Sequence, residues 1–110
     1  MPTPSKQLLH GTLDALVLKT LSVEARHGYA IIRALEEAGG DALAIEEGSL
    51  YPALYRLERR GLIEAEWGRS ELGRRAKIYR LTRAGRRALS EETDRWARFA
   101  TAVSRVLLTS

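Results

Sequence analysis

The stretch EGSLYPALYRLERRG, from Glu47 to Gly61, carries two unlike faces. Leu50, Leu54 and Leu57 fall at i, i+4 and i+7 and make one apolar stripe. Tyr51, Tyr55 and Arg59 fall at i, i+4 and i+8 on another side, with Ser49, Pro52 and Arg56 close by. Two tyrosines among arginines suit the groove of a nucleic acid better than a protein core. The segment is expected to be helical from about Leu50 to Arg60 and to stop at Gly61. Pro52 has no N–H, so it fits where a helix leaves that donor unpaired. Ser49 is therefore expected at the N-cap, with Pro52 as the third helical residue. The Ser49 hydroxyl then bonds a backbone N–H or reaches outward to a phosphate.

Upstream, Leu13, Leu16, Val17 and Leu21 recur at helical spacing from Thr12 to about Val23. This helix is apolar on more than one side and belongs in the core. A second helix is expected from His27-Gly28 to about Ala38, ended by Gly39-Gly40. Ala42 to Ile45 is expected to form a minimal strand. Downstream, Ile63, Ala65 and Trp67 alternate with Glu64 and Glu66, and Lys77, Tyr79 and Leu81 alternate with Ala76, Ile78 and Arg80. Period-two alternation on both sides of a glycine-bearing loop predicts a hairpin, with Gly68 to Gly73 as a projecting flap. Thr82 can cap a last helix reaching about Leu108. Leu89, Trp96 and Val103 are seven apart in it, as are Phe99 and Val106. That heptad-like seam, interrupted at Glu92, is the signature of a dimer interface.

Charge is segregated along the chain. Positions 56 to 87 hold eleven basic residues against four acidic ones, whereas positions 36 to 47 hold five acidic residues and no basic one. Arg74, Arg75 and Lys77 form a cluster at the hairpin, and a positive local field attracts a polyanion. The formal net charge is +4 over 110 residues, enough for one modest core. Without cysteine there is no disulfide, thiolate metal site or cysteine nucleophile. His10 and His27 lie too far apart for metal-ligand spacing, and no metal or cofactor is expected. No nucleophile–base set or phosphate-cradling loop points to an enzyme. The N-terminus has no signal-peptide run and no segment is long enough to span a bilayer, so the expectation is a cytoplasmic protein.

The expected fold is mainly α with a small β-hairpin. Residues 1–81 would form a winged helix-turn-helix DNA-binding domain with a mobile arm over 1–7, and residues 82–110 a long C-terminal dimerisation helix. The third helix would read base edges, and the wing would bring Arg74, Arg75 and Lys77 to the backbone or an adjacent minor groove. Leu89, Trp96, Phe99, Val103 and Val106 would make the dimer interface. An alternative reading is a winged-helix protein-interaction module that uses the acidic patch from Glu36 to Glu47.

Four ordered stretches resemble the PadR-type transcriptional regulators: LHGTLD from Leu9, HGYAI from His27, EGSLYPAL from Glu47 and RRAKIYRLT from Arg74. The resemblance covers nearly the whole chain and is to the short subtype, with a single C-terminal helix. It implies a homodimeric repressor on a twofold-symmetric, A/T-bearing operator, related operators often carrying ATGT and ACAT half-sites. Short members are often linked to phenolic-acid stress, drug efflux or transporter genes. The resemblance also implies a phosphate contact from the Tyr29 hydroxyl. It further suggests a small aromatic effector stacked on Trp96 in a cleft between the C-terminal helices and the core.

Overall fold

The leucine and isoleucine spacing builds a three-helix body, and the structure, a computed structural model, describes residues 12–109. The expected arm over residues 1–7 and His10 lie outside the described residues. Helix α1 (Leu13–Val23) buries Leu13, Val17, Leu18 and Leu21. Helix α2 (Gly28–Gly39) starts at His27, whose Nδ1 accepts from the Ala30 N–H at 3.3 Å. It ends at Gly40, which has φ +65° and whose N–H bonds the Glu36 carbonyl.

The strand expected over Ala42 to Ile45 does not form: a single 3-10 turn, Gly40–Leu43, takes its first half, and among the described residues the rest pairs with no strand. Leu43 folds back over the end of α2. A Cβ on Gly39 would lie 2.1 Å from Leu43 Cδ1, so the turn is packed around that missing side chain.

Helix α3 (Glu47–Arg59) also departs from expectation. It begins three residues earlier than predicted, with Glu46 in place of Ser49 at the N-cap, its carbonyl accepting from Ser49 N (3.0 Å) and Leu50 N (3.1 Å). Ser49 is thus inside the first turn, and Pro52 is an interior proline with no N–H for the Gly48 carbonyl. An interior proline costs about 3 kcal/mol. Leu50, Leu54 and Leu57 are at most 1% exposed, and each such leucine contributes about 1.5–3 kcal/mol. Gly48 is exposed, so water can reach the carbonyl that Pro52 leaves unbonded. The C-terminus closes by a Schellman-type arrangement: Gly61 N bonds Glu58 O at 3.0 Å and Leu62 N bonds Leu57 O at 3.0 Å, with Gly61 at φ +74°.

Strands β1 (Ile63–Arg69) and β2 (Arg75–Leu81) pair antiparallel, Ile63 opposite Leu81 and Trp67 opposite Lys77. The flap is shorter than expected, because Gly68 and Arg69 stay in the ladder opposite Ala76 and Arg75. Arg26, in the α1–α2 connection, exchanges two backbone bonds with Tyr79 (3.0 and 2.8 Å) and so ties β2 to the helices.

Helix α4 (Arg83–Leu107) begins at Thr82, whose hydroxyl accepts from Gly85 N at 3.0 Å. Its root packs on the core through Ala84, Ala88 and Leu89. The rest projects, and the molecule measures 54 × 34 × 20 Å. Among the described residues no helix is long and apolar enough to cross a membrane.

Candidate nucleic-acid interface

Helix α3 turns its leucines inward and leaves Tyr51, Pro52, Tyr55, Arg56 and Arg59 exposed. Tyr51 is held on one side by the start of α2. A Cβ on Gly28 would lie 2.7 Å from the Tyr51 hydroxyl oxygen, so glycine there lets the ring lie across the helix end. Tyr55 is more open, and Arg59 both donates to its hydroxyl (3.1 Å) and sits 5.7 Å from its ring centre. Arg59 is thereby aligned along the tyrosine stripe. Ser49 is half-buried, and its hydroxyl has no hydrogen-bond partner among the described residues.

Arg56 is engaged within the chain: its Nη2 donates to Asp14 Oδ1 of α1 at 3.0 Å. The guanidinium side chain remains 53% exposed. A half-exposed pair of this kind is worth no more than about 1 kcal/mol, so the contact orients Arg56 without committing it.

The wing stands beside α3. Lys77 Nζ lies 3.9 Å from Glu58 Oε1 of α3 and 6.0 Å from the Tyr79 ring centre. Burial pushes the Tyr79 hydroxyl pKa up, and the Glu58 carboxylate and then Tyr51 add to the rise. Tyr79 therefore stays protonated as the neutral pillar between wing and helix. On the outer side Arg75 stacks over Trp67 at 4.5 Å, a cation–π contact that stiffens both. Arg69 donates to Gly73 O at 2.8 Å, and Gly73 at φ +76° closes the turn. Arg74 is exposed and has no ion-pair partner among the described residues.

Tyr29 is on the exposed side of α2 and carries Arg33 over its ring at 5.2 Å. Arg33 in turn reaches Glu71 at the wing tip. Sequence reasoning missed Arg33, although its i+4 spacing from Tyr29 was available as a signal. It could not find the pairing with Glu71, which joins residues 38 apart in the chain.

The seam residues all lie on α4. Leu89 is half-buried against the core, whereas Trp96 is 52% and Phe99 60% exposed. The Trp96 and Phe99 rings are 6.2 Å apart, Val103 is half-buried and Val106 is exposed. The groove between α1 and α4 is lined by Asp14, Ala15, Leu18, Arg60, Leu62, Ala88 and Glu92. Among the described residues that line the groove, the last on α4 is Glu92, one helical turn before Trp96.

Residues 17–91 match the model of the transcriptional regulator PadR-like family. An uncharacterised protein of Lysinibacillus sphaericus is 33% identical over 90 residues, which span 82% of this chain and 83% of that one. A transcriptional regulator of Mycobacterium tuberculosis is 41% identical over 68 residues, 62% of this chain and half of that protein. Among solved structures, a PadR-like transcriptional regulator of Bacillus cereus superposes with a TM-score of 0.81 at 33% identity, covering 94% of this chain and 99% of that one. A PadR family regulator of Eggerthella lenta gives 0.79 at 36% identity, covering 94% and 88%. The winged helix, the single long C-terminal helix and these relatives agree, and the chain belongs to the PadR-like family of DNA-binding transcriptional regulators, not to an enzyme family.

Proposed function

We propose that the protein is a sequence-specific repressor that binds a palindromic operator as a homodimer. Helix α3 lies in the major groove with Tyr51, Pro52, Tyr55, Arg56 and, in its first turn, Ser49 toward the bases and flanking phosphates. Arg74, Arg75 and Lys77 meet the backbone from the wing, and the Tyr29 hydroxyl meets a phosphate from α2. The observation that carries this reading is the exposed tyrosine–arginine face of α3, with a basic wing joined to the same helix by Lys77 and Glu58.

The second copy is supported by the seam. Trp96, Phe99 and Val106, with half-buried Val103 between them, make an apolar stripe on α4 that the described residues leave largely open. Joining two copies would put two recognition helices about one DNA turn, roughly 34 Å, apart. A flat aromatic effector fits the Trp96–Phe99 pair, where stacking on tryptophan rewards a planar ring. Binding there would shift the spacing of the two heads and relieve repression.

The test is binding of the protein to the DNA upstream of its own gene. Tyr51→Ala and Arg56→Ala are expected to weaken binding while the dimer stays folded. With six to ten phosphate contacts, affinity should fall roughly 10³–10⁵-fold between 50 and 200 mM salt. Two variants that bind as wild type does would place the reading face elsewhere.

A further inference from the structure

The most unusual side-chain placement outside the recognition helix is that of Arg33. Its guanidinium carbon sits 5.2 Å from the Tyr29 ring centre, and its Nη2 alone donates to both Glu71 carboxylate oxygens, at 3.2 and 3.1 Å. Nε and Nη1 have no partner among the described residues. One nitrogen shared between two oxygens is a poorer match than the side-on fork that a guanidinium can offer an oxyanion. Both members are open to water, the Arg33 side chain 45% and the Glu71 side chain 70% exposed. Glu71 rides on the tip of the wing, between Ser70, whose N–H bonds Arg74 O at 2.8 Å, and the Gly73 turn.

We propose that Tyr29 and Arg33 form a backbone-phosphate site, and that in the free protein the Glu71 carboxylate occupies it as an internal stand-in for the phosphate. The inference rests on the docking face proposed above and adds a residue and a competition to it. Three features point the same way. The Tyr29 ring fixes the guanidinium plane by cation–π stacking, so little side-chain freedom is left to lose on binding. Both two-point edges of the guanidinium, Nε with Nη2 and Nη1 with Nη2, include the nitrogen that Glu71 holds, so a phosphate gains a fork by displacing that carboxylate. The occupant is an exposed carboxylate on a tight turn, in an ion pair of a kind that contributes little and exchanges readily. A DNA phosphate arriving at Arg33 displaces Glu71, and the wing tip is released to follow the backbone with Arg74 and Arg75. Free protein therefore holds its wing against α2, and bound protein does not. The Arg33–Glu71 pair is then an autoinhibitory contact set at the surface where DNA docks.

The test is a double-mutant cycle, Arg33→Gln, Glu71→Gln and both together. Binding is measured by fluorescence anisotropy on the upstream duplex and on an unrelated duplex of equal length, across a salt series. Arg33→Gln should weaken both duplexes alike by several-fold and lower the salt slope by about 0.9, the mark of one lost phosphate contact. Glu71→Gln should tighten both by several-fold, and this gain should vanish in the Arg33→Gln background. Arg33→Lys, which keeps the charge without the fork, should recover the slope but only part of the affinity. Weaker binding by Glu71→Gln would overturn the proposal, because the pair would then be holding the wing in its docking pose. An equal gain in both backgrounds would also overturn it, leaving only the removal of a negative charge near DNA. Arg75→Gln and Tyr51→Ala are run alongside. If these too leave binding unchanged, the docking face itself is wrong, and the phosphate site falls with it.

Discussion

Helices α3 and α4 are both amphipathic, yet their apolar faces meet different fates. In α3, Leu50, Leu54 and Leu57 are sealed in the core, and what remains outside is tyrosine and arginine. In α4, most of the large apolar residues past Leu89 stay in the open, with Trp96 and Phe99 more than half exposed and Val103 half-buried. The first helix is complete within one chain, and its polar face is available for DNA. The second is incomplete, because an apolar stripe along about 37 Å of helix has only its first turns covered. The difference separates two meanings of an exposed aromatic ring. Tyr51 and Tyr55 carry hydroxyls that satisfy themselves at a wet polar surface, whereas the Phe99 ring gains nothing from water.

The contrast can be broken most forcefully from the core side. Leu54→Ala should cost about 2–5 kcal/mol of folding stability in urea unfolding, and DNA binding and assembly should be lost with the fold. Phe99→Glu should behave oppositely, keeping the helical circular dichroism while sedimentation shows a monomer at micromolar concentration. Losing the linked second head should weaken operator binding by about 10²-fold or more. A dimer that survives this change would move the interface off the seam. Asp14→Asn removes the partner of Arg56 and should shift stability by less than about 1 kcal/mol, seen as little change in the urea midpoint. A large loss would mean that the pair builds the fold instead of only orienting the arginine.

The smallest effect is one of pH. The Tyr79 hydroxyl has a folded pKa above its ordinary value of 10.0. Above pH 10 the unfolded chain therefore releases a proton that the folded chain keeps, so stability present below that pH is lost as pH rises. Tyr79→Phe should flatten this alkaline limb in unfolding experiments, and an unchanged slope would remove Tyr79 as its source.

Local patterns were legible in the sequence, and relations between distant residues were not. The stripe of α3, the cap at Thr82 and the alternating hairpin strands each depend on neighbours a few residues away, and each appears where the spacing predicts. The start of α3 lies three residues before the one that Pro52 suggests, because Glu46 caps the turn and Gly48, whose carbonyl loses its partner, is exposed. The turn after α2 was misread as a strand because Leu43 packs over Gly39, which no periodicity signals. At the interface, the exposed face of α3 and the basic wing were anticipated. The partners Arg56–Asp14, Arg33–Glu71 and Arg26–Tyr79 join different elements and could only be seen once the chain was folded.

The joint at Thr82 has a mechanical consequence. Its hydroxyl accepts from Gly85 N while donating to Gly61 O at 2.7 Å, and its N–H bonds Leu62 O at 3.1 Å. Gly85 lies so close that a Cβ there would be 2.0 Å from the Leu62 carbonyl oxygen. The root of α4 is thus riveted to the turn that ends α3, with no linker between them to absorb torque. A long rod clamped at one end is a lever, and tilting its free end turns the clamped block. In this molecule that block holds α3, so a tilt applied near Val106 turns the helix that carries Tyr51.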